Sequence, residues 1–546
     1  MPRDLVIGLD SGTSVVKAVA FTLDGRDIAT AAVKNQVAFR PGAVAEQDIA
    51  GTWTSAARTL RALAERVPDL AQRTAALAVT GQGDGTWLLD RSGAPVAPAW
   101  LWLDGRSGEI VRAWRGDETG PAVYRITGTG LNPSLQSGQI AWHLRNRPDL
   151  LERAATALHC KDWLYHRMTG ERATDPAEGI FTYGDFRTGR YDDAILELLG
   201  ITSAKRLLPE IVDGTRHHAP LVAAAAAETG LRAGTPIVLG SVDVLCTALG
   251  AGLYDPGRDV GVTILGSTGM HMRLCPTAAV PLGDQVGYTM PFMVPGHAAA
   301  IQSNMAATLN IDWFVAMASD LVEASGAGRP DPAPLLATLE RRAAEAAPGA
   351  LLYHPFICAT GERGPFVEPL ARAQFLGLSS KTSAFELMRA VYEGLAFAAR
   401  DCYDALGGAP AEIRLSGGAA RSALCRRILA SVLGRPIRTI ERAETGAAGA
   451  AMMATVSLGH FKDLAEACEH WVRPTFGAIE EPDDALRAIY QSLYPSYRAG
   501  YRSMTGVWRG LERARHLSEA FGPSACHPGV GADGFAIPAQ QEDIVA

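Results

Sequence analysis

An α/β chain of two large domains is what this sequence predicts, and three observations carry the prediction. Its 546 residues exceed what a single hydrophobic core holds. Short apolar runs of strand type alternate with helical stretches, which implies a mixed sheet covered by helices. A hairpin of unusual chemistry opens each half, which implies an internal structural duplication.

The first hairpin is residues 5–25, LVIGLDSGTSVVKAVAFTLDG. Residues 5–9 and 15–21 are its apolar arms, and Asp24-Gly25 closes it. The turn between the arms brings together a carboxylate, hydroxyls and a glycine: Asp10, Ser11, Gly12, Thr13 and Ser14. Such a turn can aim successive N–H groups and hydroxyls at an anion while Asp10 faces the accompanying cation. A phosphate with its magnesium ion fits that chemistry; taken alone, an ordinary surface hairpin fits the pattern as well. The echo is residues 259–273, DVGVTILGSTGMHMR, with a Gly266-Ser267-Thr268-Gly269 turn between two runs. Two such turns facing each other could hold a polyphosphate. Neither a G-x-x-x-x-G-K-[ST] loop nor the protein-kinase signature set is present.

Composition narrows the class. Hydrophobic residues make up 47% and charged residues 20%, the balance of an ordinary globular protein. A net charge of −7 and a pI near 6.0 argue against nucleic acid or an anionic membrane as partner. The eight cysteines include no C-x-x-C pair, and Cys160, Cys246 and Cys358 stand in apolar surroundings. That is the pattern of buried free thiols in a reducing compartment. The first ten residues run straight into a strand without a signal-peptide core, and no apolar run approaches a membrane span. A cytoplasmic protein is expected.

Along the chain, residues 26–32 follow the hairpin as a third strand. Asp48 is expected as the N-cap of a helix whose apolar face is Ile49, Trp53, Ala56, Leu60, Leu63 and Val67. Residues 74–80 form a buried-type strand that delivers Gly81-Gln82-Gly83-Asp84-Gly85 at its carboxyl end, where open sheets bind ligands. Trp100 and Trp102, followed by Asp104 and Arg106, either line a cleft or make a half-buried strand with an ion pair. His159 opens a short helix ended by Thr169-Gly170, and a lone histidine there reads as structural. Residues 236–239 are a strand, and Asp243 then begins a helix of small residues. An acid there is either a helix-start charge or a general base held within reach of a substrate hydroxyl.

In the second half a helix is expected to start at Gln302 and run through Trp313 and Phe314, and residues 326–335 read as a Gly/Pro loop. Residues 384–406 read as a long helix. Residues 413–415 are a strand running into Ser416-Gly417-Gly418-Ala419-Ala420-Arg421, which opens a helix and lets backbone approach a flat or anionic ligand. Residues 444–453 are a small-residue helix suited to close packing. Residues 506–546, where the composition shifts, read as a disordered tail.

The DSGT hairpin, the acid-bearing helix start followed by the GSTG hairpin, and the strand–GG–helix stand in fixed order. This order resembles the FGGY family of carbohydrate kinases over roughly residues 4–500. The resemblance implies a two-domain actin-like ATPase (ribonuclease H-like) fold with ATP and substrate in the interdomain cleft. It implies an N-terminal domain over 1–252 that binds substrate and phosphate and carries the base, and a nucleotide-binding C-terminal domain over 253–505. By family pattern Asp10, Gly12, Thr13, Ser14 and Lys17 face the ATP phosphates and Mg2+, with Asp10 toward the metal. Gly266, Ser267 and Thr268 face them from the second domain, and Gly417, Gly418 and Arg421 lie near the adenosine. Asp243 matches the family's catalytic base. Phosphoryl transfer needs positioning, charge stabilisation and a carboxylate to take the proton of the attacking hydroxyl. Closure of two domains would exclude competing water.

Gly83-Asp84 departs from both the Arg-Glu pair of glycerol kinases and the Met-His pair of xylulose kinases at the matching place. Gly83 removes bulk, and Asp84 keeps an acceptor for hydroxyls. The segments GQGDGTWL, ALHCKDWLY, VGYTMPF, QSNMAATLNIDW, LLYHP and GERGPFV resemble the family's bacterial erythritol kinases. Erythritol, phosphorylated at a terminal hydroxyl, is the acceptor this likeness implies, in a pocket of Gln82, Asp84, Trp102, Asp104 and Asp243. A pentulose such as xylulose, or another tetritol, is the alternative, because one carbon is worth only about 1–3 kcal/mol of selection. From another class, an actin-like ATPase or nucleotide-dependent regulator shares the fold but needs no base facing a second pocket. Members of the family commonly form dimers, and a homodimer is expected on that ground.

Overall fold

Strand β1 (Leu5–Ser11) and strand β2 (Val15–Thr22) form the first hairpin, with Asp10 opposite Lys17, and β3 (Asp27–Lys34) extends it antiparallel. The coordinates are a computed structural model that describes residues 3–521, with side chains to residue 517. β4 (Thr74–Gly81) pairs parallel with β1 on the other side. β5 (Ala219–Pro220) is an antiparallel edge, and β6 (Pro236–Leu239) pairs parallel with β4. The resulting order is β5-β6-β4-β1-β2-β3.

β1 is apolar almost throughout because both faces of the sheet are covered. Leu5, Ile7 and Leu9 share a core with Ile49, Trp53 and Leu60 of the helix Ile49–Arg66. Val6 shares another with Leu245 and Leu249 of the helix Asp243–Gly250 and with Ala447 and Ala451 of the helix Thr445–Ser457. Asp48 caps the Ile49–Arg66 helix by accepting from the N–H of Ala50, as its sequence position predicts.

The second half repeats the plan. β7 (Val260–Leu265) and β8 (Gly269–Pro276) make the second hairpin. β9 (Tyr288–Pro291) and β10 (His297–Asn304) follow, β10 antiparallel to β8 and to β9. β11 (Glu412–Ser416) and β12 (Ile437–Ile440) extend the sheet in parallel from β7, and β13 (Phe476–Glu480) closes its edge. The order is β9-β10-β8-β7-β11-β12-β13. The segment β10-β8-β7-β11-β12 repeats β3-β2-β1-β4-β6 in order and direction, so the echo between the hairpins extends to a five-strand ribonuclease H-like unit. The expected helix at 384–406 runs Ala384–Ala405, started by a reciprocal Ser383–Glu386 capping box.

Five expectations need correction. Gln302 and Asn304 end strand β10, and the helix starts only at Thr308 (Thr308–Val322); the third hairpin strand claims these polar residues before the helix begins. The 326–335 loop is shorter than expected, because a helix Pro332–Glu345 starts within it behind Asp331 as N-cap. Arg421 closes a 3-10 turn, Gly418–Arg421, and the helix after it (Ala423–Leu433) is capped by Ser422. The tail begins with a helix, Thr505–Phe521, whose Trp508 is buried beside Phe356; residues 522–546 lie outside the described residues. Cys160 and Cys246 are buried thiols, whereas Cys358 is partly exposed.

The two halves meet where the helix Thr445–Ser457 lies on the helix Asp243–Gly250 and on β1. Small residues let the backbones touch: a Cβ added to Gly449 would overlap the Cys246 carbonyl oxygen, and one added to Gly8 would overlap the Ala447 carbonyl oxygen. Overpacking a close-packed seam of this kind costs about 1–3 kcal/mol or more. Gly449→Ala is therefore expected to lower the unfolding free energy measured by chemical denaturation by that amount. A denaturation curve superimposable on the native protein's would contradict the seam described.

Candidate active site

The parallel strands β1, β4 and β6 end at one edge of the first sheet, which gathers the loops that follow them. Asp10 stands opposite Thr80, and Val79 opposite Leu239. The Thr80 hydroxyl donates to the Ser241 carbonyl at 2.6 Å, fixing the loop that leads to Asp243. These loops and the facing edge of the second sheet enclose a cavity of about 400 Å³. Asp10, Gly12, Thr13, Asp84, Trp102 and Asp243 line it from the first half, and Thr268 from the second. The structure thus gathers these seven, and Gly83 with them, of the residues singled out from sequence.

The turn of the first hairpin is braced from behind. The Thr13 hydroxyl donates to Gln82 Oε1 at 2.9 Å and accepts from Trp102 Nε1 at 3.0 Å. Gln82 Nε2 in turn donates to Gln47 Oε1 at 2.8 Å, so Gln82 is buried behind the cavity wall rather than in it. Asp104 is not brought to the cavity either. It accepts from the Ala45 N–H at 2.9 Å and pairs with Arg106 at 2.7 Å, whose guanidinium stacks 3.3 Å over the Trp100 ring. The expected pocket role of Asp104 gives way to a buried ion pair that fixes the strand.

Four carboxyl groups line the cavity, Asp10, Asp84, Glu178 and Asp243, and burial raises the pKa of each, that of Glu178 to about 8. Asp243 is the first residue of its helix and accepts from the Val244 N–H at 2.6 Å. Burial pushes its pKa up to about 7, helped by the nearby Asp10 charge and opposed by the Val244 hydrogen bond. Burial raises Asp10 to about 6 against the attraction of Lys17, and raises Asp84 to about 7 against that of Arg363. Asp10 Oδ1 and Asp84 Oδ1 are buried with no protein donor. Two orphaned acceptors in a cavity call for a guest with positive charge or hydroxyl donors.

The other predicted residues lie around this centre. Lys17 Nζ bridges to Glu444 at 2.9 Å, joining the first hairpin to the start of the Thr445–Ser457 helix. Ser14 and Ser267 are exposed. The Gly266 and Ser267 carbonyls accept from the Thr308 and Ala307 N–H groups, which locks the second turn. Gly417, Gly418 and Arg421 are exposed beside that turn, since Ser416 pairs with Ile264. Gly417 has φ +93, and a Cβ there would lie 2.5 Å from the Leu265 carbonyl oxygen. These three line no part of the cavity.

Sequence reasoning missed Glu178, Tyr288, Asn304 and Arg363, all in the wall. Arg363 reaches from the second half to donate to Ser134 Oγ at 3.1 Å, and Asn304 Nδ2 donates to the Gly364 carbonyl at 2.8 Å. Tyr288, Asn304 and Arg363 fall inside segments quoted for the family likeness, but nothing local marks them as wall residues. Glu178 carries no signal at all. His159 is buried in an ion network and is structural, as a lone histidine leads one to expect.

Residues 5–250 match the N-terminal domain, and residues 261–458 the C-terminal domain, of the FGGY family of carbohydrate kinases. The chain is similar to the erythritol kinase of Brucella abortus, 47% identical over 510 residues that cover 93% of this chain and 98% of that protein. It is 27% identical to the xylulose kinase of Escherichia coli, over 90% of this chain and 99% of that one. The crystal structure of xylulose kinase from Rhodospirillum rubrum superimposes with a TM-score of 0.82 at 28% identity, covering 92% of this chain and 100% of that chain. The fold is therefore the two-domain actin-like one, and the chain belongs to the FGGY family of carbohydrate kinases, phosphotransferases that use an alcohol group as acceptor.

Proposed function

We propose that this protein transfers the γ-phosphoryl group of ATP to a terminal hydroxyl of erythritol. The observation that carries the reading is the meeting, in one small cavity, of Asp243 on a rigid helix start with the unpartnered Asp84 carboxyl. The 47% identity with an erythritol kinase supports the acceptor. Asp243 takes the proton of the attacking hydroxyl, and its raised pKa suits a base working near neutral pH. Trp102 packs against the carbon chain, and Asp84 accepts from a hydroxyl away from the reacting end.

ATP with Mg2+ supplies the phosphoryl group and neutralises part of its charge. Asp10, with its orphaned oxygen, would hold the metal. Among the described residues no group of three or more His, Cys, Asp or Glu gathers in the manner of a metal centre. Magnesium is usually bound through one or two carboxylates, phosphates and water. Backbone and hydroxyl groups of Gly12, Thr13, Ser14, Gly266, Ser267 and Thr268 would cradle the phosphates, and Lys17 would add charge beside them. Gly417, Gly418 and Arg421 would border the adenosine. The work divides between residues 1–252 and 253–505. Among the described residues no helix is long and apolar enough to cross a membrane. We place the enzyme in the cytoplasm, as a homodimer.

ADP release is expected to depend on added acceptor, with kcat/KM highest for erythritol in a panel with threitol, glycerol, xylulose and ribulose. A preference for a ketulose would keep the fold and Asp243 but remove the reading of Gly83 and Asp84. Acceptor-independent release would favour an ATPase.

Asp243→Asn is expected to lower kcat by about 10²–10⁴-fold while MgATP still binds. For the native enzyme, kcat/KM should fall about tenfold per pH unit below the base pKa of about 7; a profile flat from pH 8 to pH 5 would contradict the assignment.

Stability should move the other way. Between the ordinary 3.8 and about 7, the folded protein holds a proton that the unfolded chain has lost. Folding is therefore penalised increasingly as pH rises through that window, and fully above it. Asparagine has no such penalty, so Asp243→Asn should raise the Tm, and by more at pH 8 than at pH 5. Equal gains at the two pH values would show that burial does not penalise this carboxylate.

A further inference from the structure

We propose that Glu178 is a positioning residue for acceptor recognition, fixing the backbone of Asp84 so that the free Asp84 carboxyl oxygen faces the acceptor. The proposal rests on the reading of the cavity as the site of a small polyol.

Glu178 lies in the first turn of the helix Pro176–Tyr183, whose N-cap, Asp175, accepts from the Ala177 and Glu178 N–H groups at 3.0 and 3.3 Å. Its side chain is fully buried at the cavity wall. Glu178 Oε1 accepts from the Asp84 N–H at 3.2 Å, and Oε2 lies 3.0 Å from His159 Nδ1. His159 Nδ1 also stands 3.2 Å from Asp162, and Lys161 Nζ pairs with Asp162 at 2.6 Å and with Asp175 at 2.7 Å. Asp175 Oδ2 then accepts from the Ser241 hydroxyl at 2.7 Å, two residues before Asp243. These contacts run from the loop that carries Asp84 to the loop that carries Asp243, with the Glu178 Oε2–His159 step a close charge contact and not a hydrogen bond.

Two features give this network a task beyond packing. Asp84 has φ +57, a left-handed conformation that a non-glycine residue keeps only when its surroundings impose it. The Glu178 bond to its N–H, and the bond from the Gly85 N–H to the Ser134 carbonyl at 3.1 Å, are what impose it. Gly83 makes room for this: a Cβ there would lie 2.5 Å from Val242 Cγ2 and 2.9 Å from Glu178 Oε1. The oriented carboxyl ends in Oδ1, buried without a donor and aimed into the cavity. A buried ion cluster is a poor source of stability compared with apolar packing. What this one supplies is orientation.

The test is a double-mutant cycle read in KM for erythritol with the full-length enzyme and MgATP. Glu178→Ala and Asp84→Ala are each expected to raise KM at least tenfold while kcat and the KM for MgATP stay within threefold. The double variant should be within threefold of Asp84→Ala alone, because Glu178 acts through Asp84. Multiplying effects, or an unchanged KM in Glu178→Ala, would overturn the proposal. A thermal melt checks each variant; if Glu178→Ala does not fold, Glu178→Met, which keeps the length of the side chain but offers the Asp84 N–H no oxygen, carries the same cycle. Native enzyme that acts only on a ketulose ends the polyol reading, and the cycle is then run on that ketulose, where coupling keeps the positioning role and additivity ends it. Native enzyme without acceptor-dependent ADP release ends both.

Discussion

The backbone contact between the helix Thr445–Ser457 and the first half fixes the geometry of everything at the cavity. This helix presents Gly446 and Gly449 where any side chain would intrude. A Cβ on Gly446 would lie 2.7 Å from Asp10 Oδ2 and 3.1 Å from Thr247 Oγ1, and one on Gly449 would overlap the Cys246 carbonyl. From the other side, Gly8 and Gly250 come equally close to the carbonyls of Ala447 and Thr445. Asp243 begins the helix pressed against this one, and Asp10 stands one residue before the end of the strand pressed against it. The contact that joins the halves therefore also sets the distance from base to phosphate turn. A seam without flexible side chains has little slack with which to absorb a shift.

The same seam explains where the molecule accepts cost. Asp10, Asp84 and Asp243 are all pushed toward neutrality by burial, and two of them keep an oxygen that nothing in the protein satisfies. A sequence selected for stability alone would not hold three such groups around one cavity. Their arrangement has the sense of a site that is satisfied by its guests. By contrast Asp104, which sequence pattern grouped with them, is fully paired with Arg106 and the Ala45 N–H and has nothing left to offer a ligand.

What could be read from the sequence was what is recorded locally. The two hairpins, the Asp48 helix, the strand before Gly81 and the helix start at Asp243 each follow from a short-range period or a cap, and all are present. Gln302 to Asn304 misled because a polar run before a helix looks like its start, while its strand pairing is with residues 269–271, thirty positions away. Asp104 and Asp84 look alike as acids beside glycines; only the partner brought by the fold, Arg106 for one and none for the Oδ1 of the other, separates them. Glu178 could not be found at all, since its neighbours Asp84 and His159 come from segments remote in the chain.

The duplication of the fold is not matched by duplication of the task. Each half offers a Gly/Ser/Thr turn at the end of its first strand, a symmetric pair suited to a polyphosphate lying between them. The acceptor wall has no such symmetry: Asp84, Trp102, Glu178 and Asp243 come from the first half, and the second half answers with Tyr288, Asn304 and Arg363 from unrelated positions. Arg363 makes the dependence explicit, since it reaches across to Ser134, whose carbonyl holds the Gly85 N–H beside Asp84. A shift between the halves would therefore move the acceptor loop together with the phosphate turn. The glycine seam behind them ties both chemistries to one backbone contact.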